Sequence, residues 1–151
     1  MIKCVLGLDP GASGAVAFYF PDVPTKISVY DVPVVAGEID CAALADLITQ
    51  YQPDLAVVER VGAMPKQGLS STFKFGVSYG MARGVIAAAK VPIHLITPAF
   101  WKKHFRLNAE KEQARALAIR LFPSNDSFRR KMDHGRAEAA LIAKFGAETM
   151  I

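Results

Sequence analysis

The pattern of apolar and polar positions predicts three consecutive strands at the start of the chain. Apolar runs cover residues 2–9 and 15–20, and a glycine-rich turn at residues 10–14 joins them. Two strands joined by so short a turn are expected to pair as an antiparallel hairpin. Residues 26–32 fit a third antiparallel strand beside this hairpin.

After these strands the pattern changes to helices that alternate with single strands. Asp40 can cap a helix that Pro53 ends, and Leu55–Glu59 is short, apolar and β-branched, as central strands are. The later predicted elements are a helix capped by Ser70 or Ser71 and running to about Ala89, a strand over 91–96, a short helix around Trp101, a helix from Asn108 or Ala109, and a last helix over 135–145. This order predicts an α/β fold whose mixed five-stranded sheet has three antiparallel strands, then parallel ones, with helices on both faces.

Length and composition fit one domain over residues 1–151. Hydrophobic residues make up 52% of the chain, enough to build a core, and no apolar run approaches the ~20 residues that a membrane helix needs. Cys4 and Cys41 are the two cysteines, and their positions fit neither a zinc motif nor a disulfide framework. These features predict a protein of the reducing cytoplasm without membrane contact.

Charge is distributed very unevenly along the chain, although its sum is only +4. Residues 1–59 hold two lysines against eight acids, whereas residues 60–136 hold fifteen lysines and arginines against four acids, a net +11. So basic a stretch favours a polyanion partner. The alternative is a solvated surface on which these charges scatter once the chain folds.

Two acidic residues stand where predicted strands end. Asp9 closes the first strand and precedes the glycine-rich turn, and Glu59 closes the central strand. A carboxylate at the end of a buried strand is costly unless another group compensates its charge, and ligands of α/β sheets bind beyond the strand ends. Together the two acids predict a site for a hard divalent cation. Taken separately, either acid can instead cap a helix or pair with a base such as Arg60.

The start of the last predicted helix adds further candidate ligands. Glu138 lies on an otherwise small and apolar helix face, where a charge needs a partner. Asp133 precedes the helix, and its alternative role is that of N-cap. His134 lies four residues before Glu138, so the two share a face if the helix begins early. His134 is therefore a reserve ligand, with an ordinary exposed histidine as the alternative.

Five short motifs follow one another along the chain at characteristic spacings. They are Gly7-Leu8-Asp9-Pro10-Gly11, Val58-Glu59-Arg60-Val61, Gly80-Met81-Ala82-Arg83-Gly84, Ala109-Glu110-Lys111-Glu112-Gln113, and the segment over 133–143. In this order they resemble the RuvC-type Holliday junction resolvases, which have the RNase H-like fold. The match spans nearly the whole chain, and the compact length resembles the phage-type branch of that family.

Two departures from the family pattern concern the last helix and the residue that enters DNA. The family's last two acids are three residues apart, whereas Asp133 and Glu138 are five apart and Gly135 stands three before Glu138. The aromatic residue that the family inserts into DNA just after the strand-end glutamate is absent. Met64 and Phe73 are the candidates to replace it.

The resemblance implies a structure-selective endonuclease that hydrolyses phosphodiesters of Holliday junctions or other branched DNA with two Mg²⁺ or Mn²⁺ ions. The implied catalytic and metal-binding residues are Asp9, Glu59, Asp133 and Glu138, with His134 in reserve. The candidate DNA contacts are Lys102, Lys103 and Lys111 first, then Lys66, Lys74, Arg130 and Lys131. Phe100 and Trp101 are expected in the core rather than against bases.

The resemblance also implies a two-fold homodimer, since a four-way junction presents symmetric strands for paired cuts. The helix over 70–89 is the predicted interface, because Gly76, Gly80 and Gly84 recur every four residues and form one smooth stripe. Close approach of this stripe to the sheet is the alternative explanation.

Two other interpretations keep the fold and change the activity. The segment Asp9-Pro10-Gly11-Ala12-Ser13-Gly14 also resembles the phosphate loop of actin-like ATPases, which have two such domains and are much longer than 151 residues. The other is a DNA-binding module with weakened catalysis, which the altered spacing of Asp133 and Glu138 keeps open. We predict the nuclease, without a nucleotide cofactor, in the cytoplasm of a bacterial or phage-infected cell.

Overall fold

The computed structural model describes residues 1–150, in which strands and helices alternate as the sequence predicts. The strands are β1 Val5–Asp9, β2 Ala15–Tyr19, β3 Ile27–Asp31, β4 Val34–Val35, β5 Glu38–Ile39, β6 Leu55–Glu59 and β7 Ile93–Ile96. The helices are α1 Cys41–Tyr51, α2 Leu69–Ala88, α3 Pro98–His104, α4 Lys111–Leu121 and α5 His134–Thr149, with 3₁₀ turns at Asp126–Phe128 and Lys131–Asp133. Ile151, the last residue of the predicted domain, lies outside the described residues.

Five of the strands form one mixed sheet in the order β3-β2-β1-β6-β7. β2 is antiparallel to both β1 and β3, whereas β1, β6 and β7 run parallel. The predicted mixed sheet is therefore confirmed. Because β1 and β6 are parallel neighbours, their carboxyl ends, Asp9 and Glu59, lie at the same edge of the sheet.

Helices cover both faces of this sheet, as predicted. On one face, Val5, Ala17 and Val57 pack in a core with residues of α3, α4 and α5. The alternate residues of the same strands, such as Leu6 and Val58, pack on the other face with α1 and α2. The period-two alternation of side chains in a strand accounts for this division into two cores.

Gly7 allows α5 to lie unusually close to the centre of the sheet. A Cβ atom at this position would stand 2.3 Å from the carbonyl oxygen of Ala139 and 2.5 Å from the nitrogen of Ala143, both on α5. The small residues of α5 and the missing side chain of Gly7 therefore set the distance between helix and strand. This approach brings the N-terminal part of α5, with Glu138 just after its first turn, to the end of β1.

Several boundaries differ from the sequence prediction. The N-cap of α2 is Gly68, so the prediction that Ser70 or Ser71 caps this helix is wrong, and both serines lie in its first turn. The helix α4 begins at Lys111 and not at Asn108 or Ala109.

The later start of α4 has a local cause. The Asn108 side chain accepts a hydrogen bond from the backbone of Glu110, and the Gln113 side chain accepts one from the backbone of Asn108. These bonds close a turn that competes with the helix. The predicted last helix was also too short, since α5 continues to Thr149, and the small β4–β5 hairpin was not predicted.

Within residues 1–150, no helix combines the length and the apolar character needed to cross a membrane.

Candidate active site

Three of the predicted site residues meet at the carboxyl edge of the sheet. Asp9 is the last residue of β1, Glu59 is the last residue of β6, and Glu138 lies near the start of α5. We call these three carboxylates the acidic centre. Asp9 and Glu138 line a shared cavity of about 420 Å³, and charge interactions connect each of them to Glu59.

The acidic centre carries more negative charge than its surroundings neutralise. Burial, then the charges of Glu138 and Glu59, raise the pKa of Asp9 well above its ordinary value, against the opposing effect of Lys111. Burial also raises the pKa of Glu59 and of Glu138, although Lys102 acts against both shifts. Like charges that share a poorly solvated site produce such shifts. A bound cation would relieve this repulsion.

Trp101 fixes the orientation of Glu59. Its indole Nε1 donates a hydrogen bond of 3.2 Å to Oε1 of Glu59, and the whole indole is buried. The sequence placed Trp101 correctly in the core but carried no signal for this contact. Phe100, expected beside it in the core, is 65% exposed, so that expectation was wrong.

His134 stands beside the acidic centre with an unpaired ring nitrogen. Its Nδ1 atom is buried, has no hydrogen-bond partner within residues 1–150, and lies 4.0 Å from Oε2 of Glu138. Burial, then the charge of Lys111, lower the pKa of His134, which favours the neutral imidazole. A buried nitrogen without a partner calls for an unseen ligand, and neutral imidazole is a common metal ligand.

Asp133, the fourth predicted ligand, is held elsewhere. It is 3% exposed, and the guanidinium of Arg130 donates to Oδ1 over 2.9 and 3.1 Å. The backbone nitrogen of Arg130 donates to Oδ2 over 2.8 Å. Burial acts to raise the pKa of Asp133, but these hydrogen bonds, with the charge of Arg136, hold it below the ordinary value. The structure thus does not bring Asp133 to the acidic centre.

The donor set suits a hard divalent cation, but the side chains are not arranged as a ready-made ion site. Asp9, Glu59, Glu138 and His134 offer carboxylate oxygens and one free nitrogen, which Mg²⁺ and Mn²⁺ accept. Within residues 1–150, no three His, Cys, Asp or Glu side chains are grouped closely enough to hold one ion. A shared ion therefore requires these side chains to rotate towards each other.

Gly135 leaves room for the carboxylate of Asp9. A Cβ atom on Gly135 would stand 3.0 Å from Oδ2 of Asp9. The place that the resolvase pattern gives to an acid is thus occupied here by a residue without a side chain. The carboxylate of Asp9 lies directly beside this position.

The highest-ranked predicted DNA contacts lie around the acidic centre. Lys111 lines the same cavity, and Lys102 acts on the pKa of both glutamates of the centre. Lys103 follows Lys102 on α3 and is exposed. Lys131 is exposed and lines a smaller cavity with Lys111 and His134.

The remaining predicted contacts lie farther along the surface. Lys66 is exposed on the loop after β6, and Lys74 is exposed on α2. Met64 and Phe73, the candidates for insertion into DNA, are 68% and 73% exposed. Arg130 differs from these residues, because its guanidinium is already bound to Asp133.

The architecture is the fold found in RuvC-type Holliday junction resolvases, as the sequence motifs predicted. RuvC of Thermus thermophilus in complex with a Holliday junction substrate superposes with a TM-score of 0.72 at 18% identity, over 98% of this chain and 96% of that one. A second structure of Thermus thermophilus RuvC gives 0.66 at 16% identity, over 98% and 97%. The yeast mitochondrial Holliday junction resolvase Ydc2 gives 0.57 at 18% identity, over 95% and 78%.

These similarities concern the fold. No family model and no curated protein matches the sequence. At 16–18% identity the activity has to be argued from the site itself.

Proposed function

We propose that this chain is a metal-dependent endonuclease that cuts Holliday junctions or related branched DNA. The observation that carries the proposal is the acidic centre, in which two strand-end carboxylates and one on α5, all at least partly buried, have raised pKa values in a RuvC-type fold. Strand ends are where such sheets bind ligands, and excess buried carboxylate is what a divalent cation stabilises. Within residues 1–150 the basic side chains nearest this centre suit a phosphate backbone.

The proposed ligands are Asp9, Glu59 and Glu138, with His134 as the fourth. Two divalent ions held there would supply Lewis acidity, activating water and stabilising the leaving 3′ oxygen. The charges of both glutamates act on Asp9, so Asp9 would be the central carboxylate of the proposed ligand set. His134 replaces Asp133 in our proposal, because the carboxylate of Asp133 is bound to Arg130 whereas Nδ1 of His134 is free.

The basic residues would hold the DNA backbone against this centre. Lys111, the first residue of α4, lines the cavity with Glu138, and the charges of Lys111 and of Lys102 on α3 both act on the Glu138 carboxylate. A phosphate held by these lysines would lie near the acidic centre. Lys103, Lys131, Lys66 and Lys74 would extend the contact along the backbone. Each phosphate contact releases counterions, so we expect junction affinity to fall steeply with salt.

The exposed face of α2 supports the predicted homodimer. An added Cβ on Gly76, Gly80 or Gly84 would meet nothing within 4 Å, so this stripe does not pack on the sheet. The helix carries only two charged residues, Lys74 and Arg83, in 20 positions, and Phe73 projects from it 73% exposed. An apolar helix face without a partner is unfavourable in water. A second copy of α2 would cover it and set two acidic centres on the symmetric strands of a junction.

A cleavage assay tests the proposal directly. A synthetic four-way junction, labelled on each strand in turn, is incubated with the protein and Mn²⁺, and a linear duplex of the same sequence is the control. We expect paired nicks at symmetric positions in the junction, none in EDTA, and little cutting of the duplex. Absence of any metal-dependent cutting of branched DNA would refute the nuclease assignment.

The same assay distinguishes the proposed nuclease from the main alternative, a DNA-binding module with weakened catalysis. The sequestration of Asp133 and the absence of a ready-made ion site within residues 1–150 favour this alternative. Such a module would bind the junction as tightly as a resolvase and leave every strand intact at any Mn²⁺ concentration.

Sedimentation tests the dimer independently. Gly80→Leu places a branched side chain on the open stripe of α2 and is expected to give a monomer, because two glycine stripes can approach closely only without side chains. Ser124→Leu, exposed in the loop after α4 on the opposite face of the sheet, is the matched control and should remain dimeric. A wild-type protein that stays monomeric with junction DNA bound would contradict the dimer.

A further inference from the structure

A second ionic cluster lies beside the acidic centre and is built around Arg136. The guanidinium of Arg136 binds Asp31 through two parallel bonds, Nε to Oδ1 at 2.8 Å and Nη2 to Oδ2 at 2.9 Å. Its Nη1 donates to the carbonyl of Ser127 at 3.3 Å and lies 3.6 Å from Oδ1 of Asp133. Together with Arg130, which also binds Asp133, these residues form what we call the arginine clamp.

The clamp joins the start of α5 to the edge of the sheet. Arg136 is in the first turn of α5, two residues before Glu138 and two after His134. Asp31 ends β3 and lies opposite Ala15, which in turn lies opposite Asp9. Asp31 and Arg136 therefore line the same cavity as Asp9 and Glu138.

Apart from the buried methyl group of Ala137, the first turn of α5 has few other anchors. Its N-cap residue, Asp133, makes no side-chain hydrogen bond to the helix, and Gly135 has no side chain to pack. Small shifts of this turn would move Glu138 and His134 directly. Arg136 is the residue of this turn whose side chain is fixed on both sides, by Asp31 and by the segment that contains Asp133.

Arg136 is not arranged as a free phosphate contact. Its side chain is 24% exposed, and all three of its nitrogen atoms face protein oxygens. A bidentate arginine–carboxylate pair is among the most directional of polar contacts. Such a contact suits a residue that sets geometry.

We propose that Arg136 is a positioning residue, which holds the first turn of α5 against Asp31 and Asp133 so that Glu138 and His134 face Asp9. The proposal rests on the proposed function, since it assigns Arg136 a role in building that metal site. Arg136 itself need not touch metal or DNA. Its effect is therefore expected in metal affinity and not in DNA affinity.

Four variants test the role of Arg136, namely Arg136→Met, Arg136→Lys, Asp31→Asn and the double variant Arg136→Met with Asp31→Asn. The matched control is Asp126→Asn, which breaks an exposed pair with Arg129 on the neighbouring 3₁₀ turn. Mn²⁺ affinity of the metal-free protein is measured by calorimetry, junction affinity in EDTA by fluorescence anisotropy, and folding by thermal denaturation.

We expect Arg136→Met to weaken Mn²⁺ binding by about tenfold, the scale seen for groups that orient metal ligands. Arg136→Lys, which keeps the charge but loses the paired bonds, should fall between this variant and wild type. If Asp31 acts through Arg136, the double variant binds Mn²⁺ no more weakly than Arg136→Met alone. Junction affinity in EDTA should stay within about twofold for every variant.

The outcomes separate this inference from the proposed function. If a folded Arg136→Met protein binds Mn²⁺ like the wild type and the Asp126→Asn control, Arg136 is not a positioning residue, although the nuclease assignment stands. If wild type neither binds Mn²⁺ nor cuts branched DNA, the proposed function itself fails. If Arg136→Met does not fold, Asp31→Asn decides, because Asp31 is 67% exposed: weaker Mn²⁺ binding supports the inference, and unchanged binding overturns it.

Discussion

The acidic centre and the arginine clamp both contain carboxylates, and the pKa values of these carboxylates are shifted in opposite directions. In the acidic centre, burial and neighbouring carboxylates raise the pKa of Asp9, Glu59 and Glu138. In the clamp, arginines lower the pKa of Asp31 and hold that of Asp133 below its ordinary value against burial. Both clusters are joined to the first turns of the same helix, α5.

The difference teaches which carboxylates remain available to a ligand. In the clamp the protein supplies its own cations, so the charge is already neutralised and the side chains serve the fold. In the acidic centre, the charges of Lys102 and Lys111 act against the upward pKa shifts, but burial prevails and the pKa values stay raised. Perturbed pKa values of this kind concentrate at functional sites. The proposed ligands thus differ from Asp133 chiefly in that no arginine within residues 1–150 neutralises their carboxylate charge.

The largest expected effect comes from removing one charge of the acidic centre. Asp9→Asn should reduce junction cleavage by about 10⁴-fold, the scale of losing a principal catalytic group. Junction binding in EDTA should persist, because the basic surface is unchanged, and Mn²⁺ should no longer raise the melting temperature. A variant that still cuts near the wild-type rate would remove Asp9 from the mechanism.

A matched pair of isosteric variants should change stability in opposite directions. Asp133→Asn removes the partner of Arg130 and should lower the free energy of unfolding by about 2 kcal/mol, because buried donors and acceptors lose their charged bonds. Glu138→Gln removes a buried like charge and should raise the stability of the metal-free protein by roughly 1 kcal/mol.

Urea denaturation in EDTA measures both changes, and Asp126→Asn is the exposed control. If both variants lose stability equally, compensation does not distinguish the two clusters.

The sequence predicted the sheet and the three carboxylates of the acidic centre because those signals are local. Asp9 and Glu59 each follow an apolar run, and parallel strands bring their ends to one edge. Glu138 stood out as a charge on an apolar helix face. The mixed order of strands followed from the short first turn and the longer later connections.

The role of Asp133 and the partners of Glu59 could not be predicted in the same way. The pair of Trp101 with Glu59 and that of Arg136 with Asp31 join residues 42 and 105 positions apart, which no periodicity reports. Arg130, Asp133 and Arg136 follow one another at intervals of three, and this spacing was a usable signal for an ionic cluster. The resemblance to the family favoured Asp133 as a metal ligand, and the sequence analysis followed that resemblance and not the spacing.

A smaller effect should follow from narrowing the space between the helix and Asp9. Gly135→Ala places a methyl group 3.0 Å from Oδ2 of Asp9, so we expect about a tenfold higher Mn²⁺ requirement for cleavage. Stability should not fall, because alanine favours helix over glycine by ~1 kcal/mol. An unchanged Mn²⁺ requirement for cleavage would show that the position of the Asp9 carboxylate beside Gly135 does not matter for metal binding.

The smallest expected effect is on the pH dependence of stability without metal. Raised carboxyl pKa values mean that the folded acidic centre binds more protons than the unfolded chain above about pH 4, so stability should fall as pH rises through that window. Lowered values in the clamp add stability above about pH 4 that is lost on further acidification. From pH 5 to 8 in EDTA, the melting temperature should therefore decline more for wild type than for Asp9→Asn. The corresponding difference in the free energy of unfolding is on the order of 1 kcal/mol. Subtracting the two profiles removes the contribution of His134, whose lowered pKa acts in the opposite direction. If stability depends on pH in the same way for wild type and Asp9→Asn, the charge of Asp9 is neutralised as fully as that of Asp133.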